Sequence, residues 1–246
     1  MSEIEYLLEK VQKKKENLNF INDILIELSQ NPKKSHLHIV DYLLETFEKT
    51  KLRKININLV YLLGELGKDV NLEKKYIEYL FATFYSSDRW IRAEVLKAFE
   101  KNIGAIESND MFFQALSSAL KEEYETNNIN ALIILLQLDE FPKSLFEDLL
   151  MVLNVGKPNL KKHINKMIKR FFFDESSIFT LLNLNGNYRI VKPRGFRSIL
   201  QSILPSVNKI QALQRLIEDS NWEETSKSLF LKEIALVINL INKLNN

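Results

Sequence analysis

The 246-residue chain carries 34 Lys and Arg against 32 Asp and Glu, a formal charge of +2, with 46% hydrophobic and 27% charged residues. This composition excludes a disordered chain, which has too few apolar groups to offset backbone ordering, and six glycines with five prolines leave little material for tight turns and β-bulges. The lack of cysteine excludes a disulfide frame and a thiolate metal site.

The first residues, MSEIEYLLEK, are acidic and contain no apolar core of a secretory signal. Apolar runs such as ALIILLQL at 131–138 are far shorter than the ~20 residues that cross a bilayer. A cytoplasmic protein with no transmembrane segment is therefore expected.

Apolar residues recur at i, i+3, i+4 and i+7 throughout, and no strand is expected. SEIEYLLEKVQKKK sets Ile4, Leu7, Leu8 and Val11 on one side and Lys10, Lys13, Lys14 and Lys15 elsewhere, as the polar outer face of a terminal repeat requires. Polar clusters, caps and prolines then mark breaks at Asn31-Pro32, Ser35, 69–71, 86–88, 108–110, Pro142, 156–158, Asp174, Gly186, Pro193, Pro205 and Ser220-Asn221. The pieces fall into pairs whose second members lie near 17–30, 51–67, 88–104, 127–139, 158–173, 193–204 and 224–244. Their starts recur at about 35 residues, a period that means an α-solenoid, each hairpin burying its apolar face against its neighbours. VYLLGELG at 60–67 aligns with KAFEKNIG at 97–104, setting Leu62 over Phe99, Leu66 over Ile103 and Gly67 over Gly104. The last helix carries a wide apolar band of Ile234, Val237, Ile238, Leu240, Ile241 and Leu244.

Asp88-Arg89-Trp90-Ile91-Arg92, followed by Ala93, Val95, Leu96, Ala98, Phe99 and Ile103-Gly104, resembles the second half of a HEAT repeat. That pattern has an Asp in the intra-repeat turn, then an aliphatic residue and Arg, then small and aliphatic residues ending near a Gly. The resemblance is good here and partial at 51–67; the Trp, Leu-Gly, Tyr, Ala, Phe, Pro pattern of tetratricopeptide repeats is absent. It implies one all-α domain over 1–246, a right-handed α-solenoid of about seven antiparallel helix pairs. Ser87 or Asp88 is expected to cap the helix, and Arg92 to make a charge-assisted bond to an Asp of this or an adjacent repeat. Trp90, a large aromatic beside a hairpin turn, is expected to pack against its own repeat.

Signals of catalysis are nearly absent. His36 and His38, two residues apart, diverge on a helix, and His163 lies among lysines that repel a cation. No Gly-x-Ser-x-Gly, P-loop or dinucleotide fingerprint occurs, and adjacent carboxylates such as Glu122-Glu123 point apart. A chain that is not an enzyme and needs neither cofactor nor metal is expected.

Charge is nonetheless segregated. From Lys157 to Arg197 there are ten basic and two acidic residues, a net of +8, so the remainder of the chain sums to −6. In KPNLKKHINKMIKRFFF a stripe of Leu160, Ile164, Met167, Ile168 and Phe171 leaves Lys162, Lys166 and Lys169 on the opposite face, with Arg170 beside them. In PRGFRSILQSIL, Phe196, Ile199, Leu200 and Ile203 leave Arg194, Arg197 and Gln201 exposed; Arg189 and Lys192 precede that helix. If both are second helices of HEAT-like pairs, as the resemblance implies, they lie side by side on a concave surface as two basic rows. Such rows attract an acidic peptide or protein surface, a nucleic-acid backbone or an anionic membrane alike.

The expected function is a non-enzymatic scaffold or adaptor that binds another protein through its concave face, the basic patch taking an acidic partner. The alternative is nucleic-acid binding. Some DNA glycosylases for alkylated bases are HEAT-like solenoids, and Trp90-Ile91-Arg92 is similar to a Trp-x-Arg element of their repeats. Against that likeness, the two tryptophans, Trp90 and Trp222, are far apart and neither is followed by Asp.

Overall fold

The computed structural model describes residues 2–203 and 207–244, so the break expected at Pro205 lies outside it, as do the side chains of Ile203 and Leu244. Among the described residues every regular element is helical and there is no strand. Fifteen α-helices and three short 3-10 turns divide between two compact units, Met1–Ala115 and Leu116–Asn246.

The first unit holds α1 (Glu3–Lys13), α2 (Leu18–Gln30), α3 (Leu37–Thr46), α4 (Lys49–Leu66), α5 (Lys74–Ser86), α6 (Arg89–Lys101), the single turn α7 (Ile103–Ile106) and the start of α8 (Asp110–Lys121). Ser2 and Glu5 close a reciprocal capping box on α1. Asn17 caps α2 by accepting from the Phe20 N–H at 3.1 Å. The expected second members α2, α4 and α6 pack on one another in succession, while α1 packs on α3 and α5 on α6. Gly64 brings α4 close to α6, for a Cβ there would stand 3.1 Å from the Ala98 backbone. The core joins Ile21 and Leu25 to Leu59, Leu62 and Leu63, then to Val95, Leu96 and Phe99, all fully buried. Phe81 and Phe99 pack at 4.8 Å between ring centroids.

The second unit continues α8 and adds α9 (Glu125–Leu135), α10 (Phe146–Val155), α11 (Pro158–Phe171), α12 (Glu175–Asn183), α13 (Pro193–Ile203), α14 (Val207–Glu218) and α15 (Glu224–Leu244). Here α9, α11, α13 and α15 pack in succession, and α12 packs on α14. Gly156 ends α10 at φ +65°, and Pro158 opens α11 two residues later. A left-handed residue after one helix and a missing N–H at the start of the next make a sharp reversal.

Polar contacts inside each unit repeat at a near-constant sequence separation. In the first, Asn58 donates to Asn22 (2.8 Å, 36 apart), Tyr76 to Asp41 (2.7 Å, 35 apart) and Lys101 to Glu65 (2.6 Å, 36 apart). In the second, Asn154 donates to the Ile190 carbonyl (2.7 Å, 36 apart), Arg170 to the Leu138 carbonyl (2.7 Å, 32 apart) and Trp222 to Asn183 (2.8 Å, 39 apart). This spacing matches the interval at which the helix pairs recur in the sequence.

Three expectations are corrected. The helix placed over 88–104 stops at Lys101, because Asn102 turns its side chain back to donate to the Ala98 carbonyl at 2.8 Å. Gly67 and Gly104 are then not equivalent: Gly67 abuts Asn102, whereas Gly104 lies within α7 facing open space. Trp90 does not pack into its own hairpin but is 58% exposed, with the Arg89 guanidinium 5.3 Å from its ring. Asp88 is the cap, accepting from the N–H groups of Trp90 and Ile91 at 2.9 and 3.1 Å, and Arg92 donates to the Ser87 carbonyl of the same turn at 2.6 Å.

Candidate functional site

The basic stretch falls wholly within the second unit, on α11, on α13 and on the segment before α13. Leu160, Ile164, Met167 and Ile168 are buried, so α11 has no choice about its orientation: Lys162, Lys166 and Lys169, half a turn of the wheel away, are exposed. On α13 the buried side is Gly195, Phe196, Ile199 and Leu200, and Arg194, Arg197 and Gln201 are exposed. Gly195 permits close contact with α10, since a Cβ there would come within 2.6 Å of Leu153. α11 and α13 touch directly. Between them Gly156, Lys161, Asn165, Arg194 and Ser198 line a shallow recess of about 40 Å³, which sets two cations, Lys161 and Arg194, around one small opening.

The expected residues do not all remain available. Arg197 lies over Glu233, a carboxylate only 5% exposed, and grips it with Nε and, at 3.2 Å, with Nη2. The hydrogen bond and charge of Glu233 raise Arg197 above its ordinary pKa. Arg189 is paired with Glu223 at 3.0 Å and lies over Tyr188. Arg170 is turned back to the Leu138 carbonyl and lies 5.1 Å from the Phe171 ring. Lys192 is exposed, its main-chain N–H held by Asn154 Oδ1 at 2.8 Å. The exposed cations of α11 and α13 that these contacts do not engage are Lys161, Lys162, Lys166, Lys169 and Arg194, with Lys192 nearby.

The sequence reading missed Glu223 and Glu233, whose bonds to Arg189 and Arg197 span 34 and 36 residues. The signal was present, because that separation matches the interval expected between successive helix pairs and each carboxylate lies one such interval beyond its arginine. Among the described residues no three His, Asp or Glu side chains gather as a metal site would require, and no helix is long and apolar enough to cross a membrane. Comparison with protein-family models, with curated proteins and with solved structures finds no match.

Proposed function

We propose that this chain is a non-enzymatic helical-repeat scaffold, an α-solenoid of HEAT-like pairs, that holds an acidic protein partner against α11 and α13. The reading rests on one observation: Lys162, Lys166, Lys169 and Arg194 stand exposed on two helices in contact, without the acidic interleaving that solubilising surfaces carry. The repeated 32–39-residue spacing of polar contacts supports the solenoid, because a stack of like hairpins brings equivalent positions together at every step. Trp222 weighs against the glycosylase alternative. It is stacked between Phe179 and Tyr188 at 5.6 and 4.4 Å with its indole N–H on Asn183, so it offers no face to an extruded base.

The test compares the wild type with a variant in which Lys162, Lys166, Lys169 and Arg194 become Ser, using a fluorescent poly-glutamate peptide, duplex DNA and phosphatidylserine vesicles as probes. The proposal expects salt-sensitive peptide binding, weakened at least tenfold in the variant, because exposed charge contacts are screened over ~8 Å at physiological salt. Undiminished peptide binding by the variant defeats it. Tighter binding of DNA than of peptide, lost in the variant, moves the function to nucleic acid, and vesicle binding alone moves it to membranes.

A further inference from the structure

The second unit carries another surface, distinct from the basic rows. A cleft of about 750 Å³ opens between the end of α8, the turn before α9, and α10. Buried Leu120, Val152 and Leu160 line it together with Met151 and Val155, which are 51% and 56% exposed. Met151 and Val155 stand one turn apart on α10 and form a contiguous apolar pair along the cleft. Glu122, Glu123, Glu147 and Asp148 share the lining with Lys121 and Lys157. Both lysines are committed, Lys121 to the buried Asp148 carboxylate at 3.0 Å and Lys157 to the Glu123 carbonyl at 3.3 Å. Glu123 and Glu147 are exposed.

We propose that this cleft is a docking groove for a short amphipathic helix of a partner protein, with aliphatic side chains entering along Met151 and Val155 and Lys or Arg meeting Glu123 and Glu147. The spacing selects a helix: Glu147, Met151 and Val155 lie at i, i+4 and i+8 on α10, a row about 12 Å long. A partner helix meets such a row with apolar residues one turn apart. Other peptide modes lack their requirements, since an all-helical unit offers no strand edge and the lining contains no aromatic residue for a polyproline segment. A small molecule is disfavoured because the rim residues Met151 and Val155 stand more than half exposed, which leaves one side of the cleft open where such ligands bury 70–90% of their surface. Charge then chooses among helices, for the four carboxylates of the lining, Glu122, Glu123, Glu147 and Asp148, outnumber the two lysines.

The test uses a labelled peptide of about 16 residues, about 24 Å of helix, with Leu one turn apart on one face and Lys and Arg flanking it. Its counterpart carries Glu in place of every Lys and Arg. Fluorescence anisotropy on the full chain with Lys162, Lys166, Lys169 and Arg194 replaced by Ser, which removes the site proposed for acidic partners, should show the basic peptide binding at least tenfold more tightly than the acidic one. Met151→Asp with Val155→Asp should weaken it at least tenfold, and Glu123→Lys with Glu147→Lys should reverse the preference. The basic peptide should bind the wild type and the variant lacking the basic rows alike, which keeps this outcome separate from that of the acidic-partner proposal. Equal binding of the two peptides by the variant that lacks the basic rows, or no loss of the basic peptide in Met151→Asp with Val155→Asp, overturns the groove. Binding of an apolar dye that neither peptide displaces overturns it in favour of a small ligand, and a dimer abolished by the aspartates overturns it in favour of self-association. Circular dichroism checks folding, and if the aspartate pair fails to fold, the charge-reversal pair decides between these outcomes alone.

Discussion

A methyl group added at Gly67 would lie 1.8 Å from Oδ1 of Asn102, a side chain 4% exposed and held by its bond to the Ala98 carbonyl. Asn102 has nowhere to go without giving up that bond inside a packed region. Gly67→Ala should therefore cost about 1–3 kcal/mol, the range for overpacking. Gly104→Ala meets nothing within 4 Å and should be neutral or stabilising by up to ~1 kcal/mol, because alanine is the better helix former. Urea denaturation of both variants checks the contrast, and equal effects would show that Asn102 moves aside freely.

Helix α6 shows how one element draws on several sources of order. Asp88 satisfies two free N–H groups at its start, and Arg92 fastens the preceding turn through the Ser87 carbonyl. Val95, Leu96 and Phe99 supply the apolar face, all fully buried. Asp88→Ala should lower stability by about 1 kcal/mol, as loss of a helix cap does. Trp90→Ala should cost less than ~0.5 kcal/mol, because the ring is more than half exposed. Trp222→Ala, by contrast, removes a 3% exposed indole from a three-ring stack and should cost about 3–5 kcal/mol. Thermal melts of the three variants test this ordering. A Trp90 variant as damaged as the Trp222 variant would return Trp90 to the core.

At the scale of the whole molecule, ion pairs between helices far apart in sequence decide which charges stay unpaired at the surface. Arg197→Ser would strand the buried Glu233 carboxylate and should cost about 1–3 kcal/mol. Lys162→Ser, Lys166→Ser and Lys169→Ser should each change stability by ~0.5 kcal/mol or less, being exposed and away from caps. Chemical denaturation distinguishes the two classes. A harmless Arg197→Ser would mean that Glu233 finds another partner. The same logic explains why Arg197 is left intact in the variant that tests partner binding: its loss would confuse weakened binding with weakened folding.

Local physics wrote much of this into the sequence. Helical periodicity, the caps at Ser2, Asn17 and Asp88, and the Gly156–Pro158 reversal depend on neighbours within a few residues, and the second helices lie within a few residues of their expected bounds. The exposure of Lys162, Lys166 and Lys169 was legible for the same reason, since the apolar stripe of α11 fixes its opposite face. The tertiary structure alone decided which residues meet across some 32–39 positions of sequence. Charge counted along 157–197 could not include Glu223 and Glu233, nor could the helix pattern show that Asn102 folds back beneath Gly67 or that Trp90 stays in solvent. The cleft beside Met151 and Val155 belongs to this second kind. An apolar residue on a helix is buried only if another element arrives to cover it, and that arrival is a property of packing that periodicity does not encode.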